Sequence, residues 1–410
     1  MITSKHTAPR TRHIAILVEN LPVPFDRRVW QEATSLVQSG YEVSVICPRA
    51  RGFTQAYERL EGVHIYRHFL PFEANGVAGF ILEYASALGG ELMLTLKAYR
   101  RSRIDAIQAC NPPDLLFLVA APFKLLGVRF VFDHHDLFPE LFQVKFPRLT
   151  FLYRATRLAE WLTFRMADRV ITTSESLRRL TAERNGKTLD QITLVRSGPD
   201  LQRLQHPAPN PALREGFGHL VIYLGIIGQQ DGLDLLMQSV EHLVYQLGRT
   251  DTLFLIVGDG PQRSAIQALA AALDIDSYVR FTGFLTGVPL FERLASADIG
   301  VCCDPKNAFN DKLSMNKVME YMSFGLPVAQ FDLAENRLLA GGAAVYAGED
   351  NSPQALAEAI AALLEDPQRR QAMGILGRRR IEGELGWANQ VPAYLRVYQE
   401  LLGPTWAPPQ

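Results

Sequence analysis

The sequence predicts an α/β protein that consists of two doubly wound parallel-sheet domains, and three observations support this fold class. Short apolar strands alternate with amphipathic helices, which is the pattern of a parallel sheet covered by helices on both faces. The alternation stops near residue 198, gives way to a polar, proline-containing stretch over 201–216, and then begins again. With 410 residues, the chain is also too long for one ordinary hydrophobic core.

Predicted strands follow one another through both halves of the chain. In the first half they cover residues 13–18, 41–47, 63–66, 104–109, 129–132, 169–172 and 192–195, with a long helix over 80–103. In the second half they cover residues 220–224, 252–257, 279–281, 299–303, 328–331 and 343–346. Functional residues are expected in the loops that follow these strands, because ligands bind at the carboxyl ends of parallel strands.

The break divides the chain into domains. We predict an N-terminal Rossmann-like domain over residues 1–198 and a C-terminal one over 199–385, facing each other across a cleft. Residues 386–410 should form a helix that crosses back to the N-terminal domain, followed by a disordered tail over 403–410. Closure of the domains is expected to hinge near 198–216.

Composition narrows the class of protein. Residues 1–198 carry a formal charge of +7 and residues 199–410 carry −8, so the basic half predicts an anionic partner. Nucleic acid is disfavoured, because no compact basic cluster with interleaved aromatic residues exceeds what a membrane-facing surface would need. Four scattered cysteines without a CxxC motif favour reduced thiols in a cytosol. We expect no secretory signal, and no apolar run reaches the ~18 residues that span a bilayer.

One stretch, residues 304–327, predicts an anion site. Its helix should begin at Ser314, a suitable N-cap, and end at Gly325. Helix N-termini favour acidic side chains, yet Lys317 occupies the first turn and no acid follows before Glu320. Lysine and backbone N–H groups suit a diphosphate, and Glu320 suits sugar hydroxyls. The alternative is a capped surface helix with an ion pair between residues three apart.

Motifs along nearly the whole chain resemble a known family. In order, they read FDRRVWQEATSLVQSGYEVSVICP, QACNPPD, FDHHDLFPEL, VRSGPD, YLGIIGQQDGLDLL, VGDGP and NKVMEYMSFGLPV. Their order and spacing resemble the GT-B nucleotide-sugar glycosyltransferases, and within these the large retaining family four. The resemblance implies that the C-terminal domain binds the nucleotide of a UDP- or GDP-sugar and that the acceptor lies against the N-terminal domain.

The resemblance also assigns donor-binding residues, with two departures. Glu320 matches the second glutamate of the family's E-x7-E motif, which holds the ribose, but Lys312 replaces the first glutamate. The turn over residues 225–232 lacks the family's usual Arg and Lys, so Lys317, together with Lys312, is expected to replace them. The predicted donor site comprises Gly228, Asp231, Gly258, Asp259, Lys312, Ser314, Asn316, Lys317 and Glu320. Two roles stay open for Asp231. It could contact the donor sugar, or it could be the N-cap of the next helix, which is the favoured role.

The loop over residues 133–136 carries the second predicted site. His135 followed by Asp136 matches the family's HD pair, whose histidine contacts the donor sugar near the reacting carbon. A neutral imidazole can bond a sugar hydroxyl while the adjacent carboxylate sets its tautomer. Read without the family, His135 is a satisfied loop histidine, which is our prediction for His134.

Two further loops on the same edge are predicted to face the acceptor. Asp26 and Arg27 follow the first strand, where the alternative role of Asp26 is to cap the next helix. Asn111 and Asp114 follow another strand and suit acceptor hydroxyls, although proline chemistry alone explains the turn NPPD.

The helix predicted over residues 151–169 carries a basic stripe. Arg154, Arg157, Trp161 and Arg165 share one face at the helical repeat, which suits an anionic membrane surface. A charged stripe is more often simply the solvated face of a helix.

Together these observations predict a glycosyltransferase that acts on a polysaccharide or lipid-linked acceptor at the cytoplasmic face of the cell membrane. The expected catalytic residues are His135, Asp136, Lys317 and Glu320. We expect retention of configuration, no organic cofactor and, without a DxD motif, no metal. The alternatives are a nucleotide-sugar 2-epimerase and a non-catalytic protein that binds sugar nucleotides.

Overall fold

The computed structural model describes residues 10–69, 76–145, 150–348 and 350–403. They form two compact units. The first unit consists of Met1–Val195 together with Val391–Gln410, and the second unit of Arg196–Gln390. Of the predicted disordered tail, residues 404–410 lie outside the described part of the chain.

Each unit contains one sheet. The first contains β1 His13–Val18, β2 Glu42–Pro48, β3 Tyr57–Leu60, β4 Val63–His68, β5 Ala106–Cys110, β6 Arg129–His134, β7 Arg169–Thr172 and β8 Ile192–Leu194. The second contains β9 His219–Leu224, β10 Thr252–Val257, β11 Val279–Gly283, β12 Ile299–Cys302, β13 Val328–Gln330 and β14 Ala344–Tyr346.

Helices connect the strands in both units. In chain order they are α1 Arg27–Gln38, α2 Gly76–Arg101, α3 Phe117–Leu125, α4 Phe138–Lys145, α5 Thr150–Met166, α6 Glu175–Asn185, α7 Leu233–Tyr245, α8 Arg263–Ala272, α9 Val288–Ser296, α10 Asn316–Ser323, α11 Ala334–Ala340, α12 Pro353–Glu365, α13 Pro367–Arg380 and α14 Trp387–Leu402. Among the described residues, none of these helices has the length and apolar character needed to cross a bilayer.

The strand order places the functional loops on one edge of each sheet. The order is β3-β4-β2-β1-β5-β6-β7-β8 in the first unit and β11-β10-β9-β12-β13-β14 in the second. Every pairing is parallel except that of β3 with β4. The register aligns Val18, Cys110 and Asp133 in one row at the carboxyl ends of β1, β5 and β6. The predicted class, two parallel-sheet α/β domains, is confirmed.

Burial explains why the strands could be read from the sequence. In β9, Val221 and Tyr223 enter one apolar cluster, whereas Leu220 and Ile222 enter another on the opposite face. Both faces are covered, so the strand is a continuous apolar run. One strand was missed: β3, whose sequence YERL is mostly exposed.

Candidate functional site

In the second unit, the carboxyl ends of the strands bring a buried ammonium group close to two carboxylates. Lys317 lies in the first turn of α10 with 9% of its side chain exposed. Its Nζ lies 2.8 Å from Oδ2 of Asp304, two residues after β12, and 3.9 Å from Oδ1 of Asp231, in the loop after β9. The ammonium also donates to Tyr223 Oη at 3.3 Å and lies 4.7 Å from the centre of that ring.

Burial and the neighbouring charges together set the pKa values of Lys317 and Asp231. Burial alone would lower the pKa of Lys317, but the carboxylate of Asp304 outweighs it and raises the pKa well above its usual range. Burial raises the pKa of Asp231 to about 6, against the pull of Lys317. At neutral pH the ammonium is therefore permanently charged, whereas Asp231 gains a proton as the pH falls through about 6.

The start of α10 differs from the prediction. The helix begins at Asn316, and its N-cap Met315 makes no side-chain capping hydrogen bond, so the predicted N-cap role of Ser314 is wrong. The physical reason is that Ser314 lies one residue before the N-cap position, and its Oγ instead accepts from Arg196 Nη1 at 3.4 Å. The Val318 N–H of the first turn donates to the Met315 carbonyl at 3.0 Å, and no side chain caps this helix end.

The loop after β9 places Asp231 against the lysine. Asp231 ends a 3-10 turn, and its Oδ2 accepts from the Gly228 N–H at 3.0 Å. The N-cap of α7 is Gly232, so the favoured capping role of Asp231 on that helix is wrong. Gly232 has φ of 69°, and a Cβ there would lie 2.0 Å from the Cys303 carbonyl oxygen. Only glycine allows the backbone to turn this close to Cys303. The turn comes one residue after Asp231, and the carboxylate of Asp231 faces Lys317.

The other predicted donor residues lie along the same edge. A Cβ on Gly258 would lie 1.8 Å from the Gly225 carbonyl oxygen, so packing between two strand-end loops already requires glycine there. Asp259 has a side chain that is 54% exposed and pairs with Arg263 at 3.5 Å. Lys312, Asn316 and Glu320 follow in the segment that contains α10; Asn316 is exposed and the other two are partly exposed.

In the first unit, His135 is bonded to a carboxylate that the sequence pattern did not identify. The prediction placed Asp136 beside the imidazole, but His135 Nε2 lies 2.6 Å from Oδ2 of Asp133, the penultimate residue of β6. Residues two apart in a strand share a face, which explains why Asp133 and the residue just after β6 can meet. His134, predicted to be satisfied, is buried; its Nδ1 lies 3.3 Å from Thr181 Oγ1, while its Nε2 has no partner.

A buried guanidinium fixes Asp133. Arg28 Nη2 donates to Asp133 Oδ1 at 2.9 Å, and Arg28 Nη1 donates to the Val195 carbonyl at 2.8 Å. Arg28 Nε lies 3.1 Å from Oε1 of Glu32, one helical turn further along α1. Burial would raise the pKa of Asp133, but Arg28 and His135 hold it well below its usual range. Burial and the neighbouring Asp133 raise the pKa of Glu32 well above its usual range.

Asn111 holds the loop that carries His135. Its Oδ1 accepts from the His135 N–H at 2.6 Å and from the Asp136 N–H at 3.2 Å. Its Nδ2 donates to the Asp136 carbonyl at 2.7 Å and to Asp114 Oδ1 at 2.9 Å. Burial raises the pKa of Asp136, against the pull of His135, and raises that of Asp114 well above its usual range, with Glu160 adding to it. Three of these four bonds go to His135 and Asp136, so Asn111 shapes the loop that carries the histidine.

The three charged residues at the start of α1, Asp26, Arg27 and Arg28, have different roles. Asp26 is the N-cap, and its Oδ1 accepts from the Val29 N–H at 3.1 Å, so the capping alternative is confirmed. Arg27 is exposed, whereas Arg28 is buried against Asp133. Burial raises the pKa of Asp26, against the pull of His135.

The exposed basic stripe on α5 differs in part from the predicted set of residues. Arg154 and Arg165 are exposed, as is Trp161 at 47%. Arg157 instead pairs at 2.8 Å with Glu160, whose side chain is fully buried, so it does not belong to the exposed stripe. Phe151 and Leu158 join the stripe with 79% and 57% exposure.

Within the described ranges, one side-chain group has the spacing of metal ligands: Cys110, Asp133 and His135, with ligand atoms within 4.8 Å of one another. These residues fit a metal poorly. The Arg28 guanidinium already contacts both Asp133 and His135, and it would repel a second cation. Burial, with Asp133 nearby, raises the pKa of Cys110 well above its usual range, so it remains a thiol, whereas metals bind the thiolate.

Two glycosyltransferase family models match the chain. The model described as Glycosyltransferase Family 4 matches residues 26–203, and the one described as Glycosyl transferases group 1 matches residues 218–366. The first range contains His135 and its neighbours, and the second contains Lys317.

Two similar proteins are named as sugar transferases. D-inositol 3-phosphate glycosyltransferase of Kineococcus radiotolerans is 27% identical over 255 residues, and the match spans 57% of this chain and 57% of that protein. 2-deoxystreptamine glucosyltransferase of Streptomyces kanamyceticus is 25% identical over 358 residues, which span 83% of this chain and 89% of that protein.

Solved structures share the fold at low identity. Sucrose-phosphate synthase from Thermosynechococcus elongatus has a TM-score of 0.78 at 16% identity, with 95% of this chain and 99% of that chain covered. Anabaena HepE in complex with UDP and glucose has a TM-score of 0.71 at 15% identity, with 95% and 99% covered. The shared architecture is the GT-B fold.

Proposed function

The chain belongs to the group 1 glycosyltransferases, and from this membership we propose that it transfers a sugar from a UDP- or GDP-sugar to a hydroxyl group of a glycan or lipid-linked acceptor. The donor binds the second unit and the acceptor binds the first. Transfer retains the anomeric configuration and needs neither a metal ion nor an organic cofactor. The UDP complex of the similar HepE structure supports the donor class.

The observation that carries the proposal is the ammonium of Lys317 at the start of an α10 that has no side-chain cap. A departing nucleoside diphosphate is an anion, and a fixed positive charge beside helix N–H groups stabilises it. Lys317 Nζ has three donors and contacts Asp304 at 2.8 Å and Tyr223 at 3.3 Å. Asp231, 3.9 Å away, is the more weakly held of its two acids, so a phosphate oxygen takes the side of the ammonium that faces Asp231.

The reaction then needs little from the protein beyond charge and position. The acceptor oxygen attacks the anomeric carbon on the leaving-group face, and the bond from that carbon to the diphosphate oxygen breaks. The diphosphate leaves with the electron pair, and the proton of the acceptor hydroxyl passes to it. His135 accepts a hydrogen bond from a donor-sugar hydroxyl, and Asp136 and Asn111 shape its loop.

Glu320 is proposed to hold the donor ribose. It lies three residues beyond Lys317 on α10, where side chains share one face of the helix, and it is partly exposed. We assign Asn316, Ser314 and Lys312 to the same donor site, because they stand at or just before the start of α10. Gly228 and Gly258, with Asp259, bring backbone close to the diphosphate from the neighbouring strand ends.

Nucleotide binding tests the donor assignment. A thermal-shift screen with UDP, GDP, ADP and the corresponding glucose and mannose conjugates should raise the melting temperature for UDP or GDP ligands, because a ligand of the folded state stabilises it. Isothermal titration then compares Glu320→Gln with wild type, using the ribonucleotide and its 2′,3′-dideoxy analogue. We expect Glu320→Gln to lose about tenfold in affinity for the ribonucleotide and nothing for the analogue.

Two controls make this test decisive. Glu292→Gln, on α9 of the same unit, should bind both nucleotides as wild type does. Equal losses for the two nucleotides would show that Glu320 does not contact the ribose. No response to any nucleotide would contradict the donor proposal itself.

A membrane contact of the first unit is also proposed. The exposed stripe Phe151, Arg154, Leu158, Trp161 and Arg165 on α5 combines apolar and basic side chains. The adjacent α3 adds Leu125, which is 91% exposed. Apolar side chains with arginines suit a bilayer that contains anionic lipid, where lipid-linked acceptors reside. Four buried free thiols are consistent with the reducing cytoplasmic side.

Vesicle binding tests this contact. Wild type should sediment with phosphatidylcholine vesicles that contain phosphatidylglycerol and much less with pure phosphatidylcholine vesicles. The double variant Arg154→Ala/Trp161→Ala should lose most of this binding. Arg179→Ala, which removes an exposed arginine of α6, is the matched control and should bind as wild type does. Unchanged binding of the double variant would refute the assigned surface.

A further inference from the structure

A pocket at the amino edge of the first sheet is lined by arginines. It lies where β1, β5 and β6 begin, the edge opposite to the one that carries His135. Its charged lining consists of Arg12, Arg103, Asp105 and Arg129, and its volume is about 190 Å³. Because β5 is 5 residues long, about 17 Å of strand separate this pocket from the other edge. The pocket is therefore distinct from the site of His135.

The acid of the pocket is already neutralised. Among the described residues that line it, the one acid is Asp105. Its Oδ1 lies 2.5 Å from Arg10 Nη2, and its Oδ2 accepts from the His13 N–H at 2.8 Å. Arg12 Nη1 approaches the same carboxylate only to 3.4 Å. Since Arg10 pairs with Asp105, the three lining arginines are not balanced by an acid of the pocket.

Two of these arginines have donors left for a ligand. Within the described ranges, the guanidinium of Arg103 makes no hydrogen bond or ion pair. The side chain of Arg129 is 54% exposed, and its Nη1 lies 3.8 Å from Asp168 Oδ1. The other oxygen of Asp168 is bonded to Lys124 Nζ at 2.6 Å. Guanidiniums without a close acid offer a planar set of donors that matches phosphate oxygens.

The size of the pocket limits what it can hold. Sites for drug-sized ligands measure roughly 300–1,000 Å³, whereas this pocket measures about 190 Å³. A phosphate group with a small substituent fits such a volume better than a whole nucleotide does.

Exposed leucines stand beside the pocket. Gly127, which lines it, directly follows Leu125 and Leu126, whose exposed fractions are 91% and 57%. A lipid presents its phosphate next to an apolar phase, so exposed leucines beside arginines suit a lipid headgroup better than a free phosphate. The helix α3, which ends at Leu125, packs against α5. The pocket therefore adjoins the surface that is proposed to contact a bilayer.

We propose that this pocket binds the phosphomonoester headgroup of an anionic lipid, with Arg103 and Arg129 on the phosphate and Leu125 and Leu126 in the bilayer. A phosphomonoester carries about 1.5 to 2 negative charges at neutral pH and three acceptor oxygens. A phosphodiester headgroup carries a single charge and has fewer free oxygens, so it makes fewer bidentate contacts with arginine. The placement at a membrane rests on the proposed function, whereas the binding of phosphate by the pocket does not.

Vesicle binding tests the preference for a phosphomonoester. Sedimentation is compared between phosphatidylcholine vesicles that contain phosphatidic acid and ones that contain enough phosphatidylglycerol to match their zeta potential. We expect wild type to bind the phosphatidic acid vesicles about five- to tenfold more strongly, and Arg103→Gln/Arg129→Gln to lose this preference. Arg59→Gln/Arg179→Gln removes two exposed arginines elsewhere in the first unit. This charge-matched control should keep the preference.

The outcomes separate this pocket from the α5 surface. Arg154→Ala/Trp161→Ala should weaken binding to both kinds of vesicle and leave the ratio between them as in wild type. If this variant binds both as wild type does, the α5 contact fails, whereas the proposal for the pocket stands on the ratio. No preference in wild type, or one that persists in the folded Arg103→Gln/Arg129→Gln variant, would overturn the proposal.

A soluble ligand distinguishes a lipid from a free phosphate. In isothermal titration with glycerol 3-phosphate, we expect only weak, millimolar binding that depends on Arg103 and Arg129, because the leucines find no apolar partner. Micromolar binding that is lost in Arg103→Gln/Arg129→Gln would show that the pocket takes a soluble phosphate, and would overturn its assignment to a lipid.

Discussion

The two units carry the same three charges at the carboxyl edge of a parallel sheet, but hold them differently. In the first unit, Arg28 lies between Asp133 and Glu32. In the second, Lys317 lies between Asp304 and Asp231. Both acids lie close to Arg28, at 2.9 and 3.1 Å, whereas Asp304 lies 2.8 Å and Asp231 3.9 Å from Lys317. In each unit burial raises the pKa of one acid, Glu32 or Asp231. The difference lies in the cation and in how many bonds fix it.

That difference separates support from ligand binding. The planar guanidinium of Arg28 donates from Nη1 to the Val195 carbonyl, from Nη2 to Asp133 and from Nε to His135 Nε2 at 2.8 Å, so all three of its nitrogens are engaged within the first unit. Lys317 is a point charge on a flexible stem, with one close acid and a second at 3.9 Å. We infer that Arg28 holds the loop of His135 in place, whereas Lys317 can exchange a partner for a phosphate.

The largest expected effect is on stability, in the first unit. Arg28→Met leaves a buried carboxylate, Asp133, without its cation, and should lower the free energy of unfolding by about 3–5 kcal/mol. Urea unfolding followed by circular dichroism measures the change. Arg27→Met, one residue earlier and exposed, is the matched control and should stay within about 0.5 kcal/mol of wild type. Equal effects of the two substitutions would remove the distinction between the two groups of charges.

The next effect concerns pH, in the second unit. Because the pKa of Asp231 is raised to about 6, its carboxylate is charged at pH 7.5 and mostly neutral at pH 5.3. A negative charge beside Lys317 opposes an incoming diphosphate. We expect Asp231→Asn to bind UDP or GDP about five- to tenfold more tightly than wild type at pH 7.5, and equally at pH 5.3.

The affinity of Asp231→Asn is divided by that of wild type at each pH. The nucleotide's own phosphate titrates equally in both measurements, so its effect cancels in this ratio. Isothermal titration at the two pH values gives the ratio. A ratio that does not change with pH would mean that the charge of Asp231 does not act on the diphosphate. Weaker binding of Asp231→Asn at pH 7.5 would show that its carboxylate instead accepts a bond from the ligand.

The smallest effect is expected at Lys312. This side chain is partly exposed, so solvent and salt screen its charge more than that of buried Lys317. Lys312→Ala should weaken nucleotide binding about two- to fivefold at low salt, and the loss should vanish near 0.5 M salt. A loss that persists at high salt would place Lys312 in direct contact with the diphosphate, on a par with Lys317.

The strands and the two functional loops were predictable from the sequence, whereas the partners of the charged residues were not. Strands buried on both faces, such as β10, are continuous apolar runs, so they stand out. The pairing of Arg28 with Asp133 joins residues 105 positions apart, and no local pattern reports it. The sequence did contain a pattern that points to these two acids. Asp133 and Asp304 stand at or just after the carboxyl ends of apolar strands, and ligands bind at that edge of a parallel sheet.

The errors have a common cause. Ser314 and Asp231 were assigned by the short-range rule that small polar residues cap helices, but each lies near a longer-range partner that engages its oxygen. Asp136 was preferred to Asp133 for the same reason, because adjacency in sequence was taken for adjacency in space. In a strand, neighbouring side chains point to opposite faces, so the residue two positions away is the better candidate.

The most direct test is the affinity for UDP and GDP of the double variant Lys317→Met/Asp304→Asn. The two substitutions remove a buried ion pair together, so no buried charge of that pair is left unbalanced and the unit should fold. If Lys317 is the exchangeable, ligand-facing charge, isothermal titration will show a loss of at least about tenfold against wild type, with a clear thermal unfolding transition retained. Wild-type affinity in the folded double variant would contradict the account.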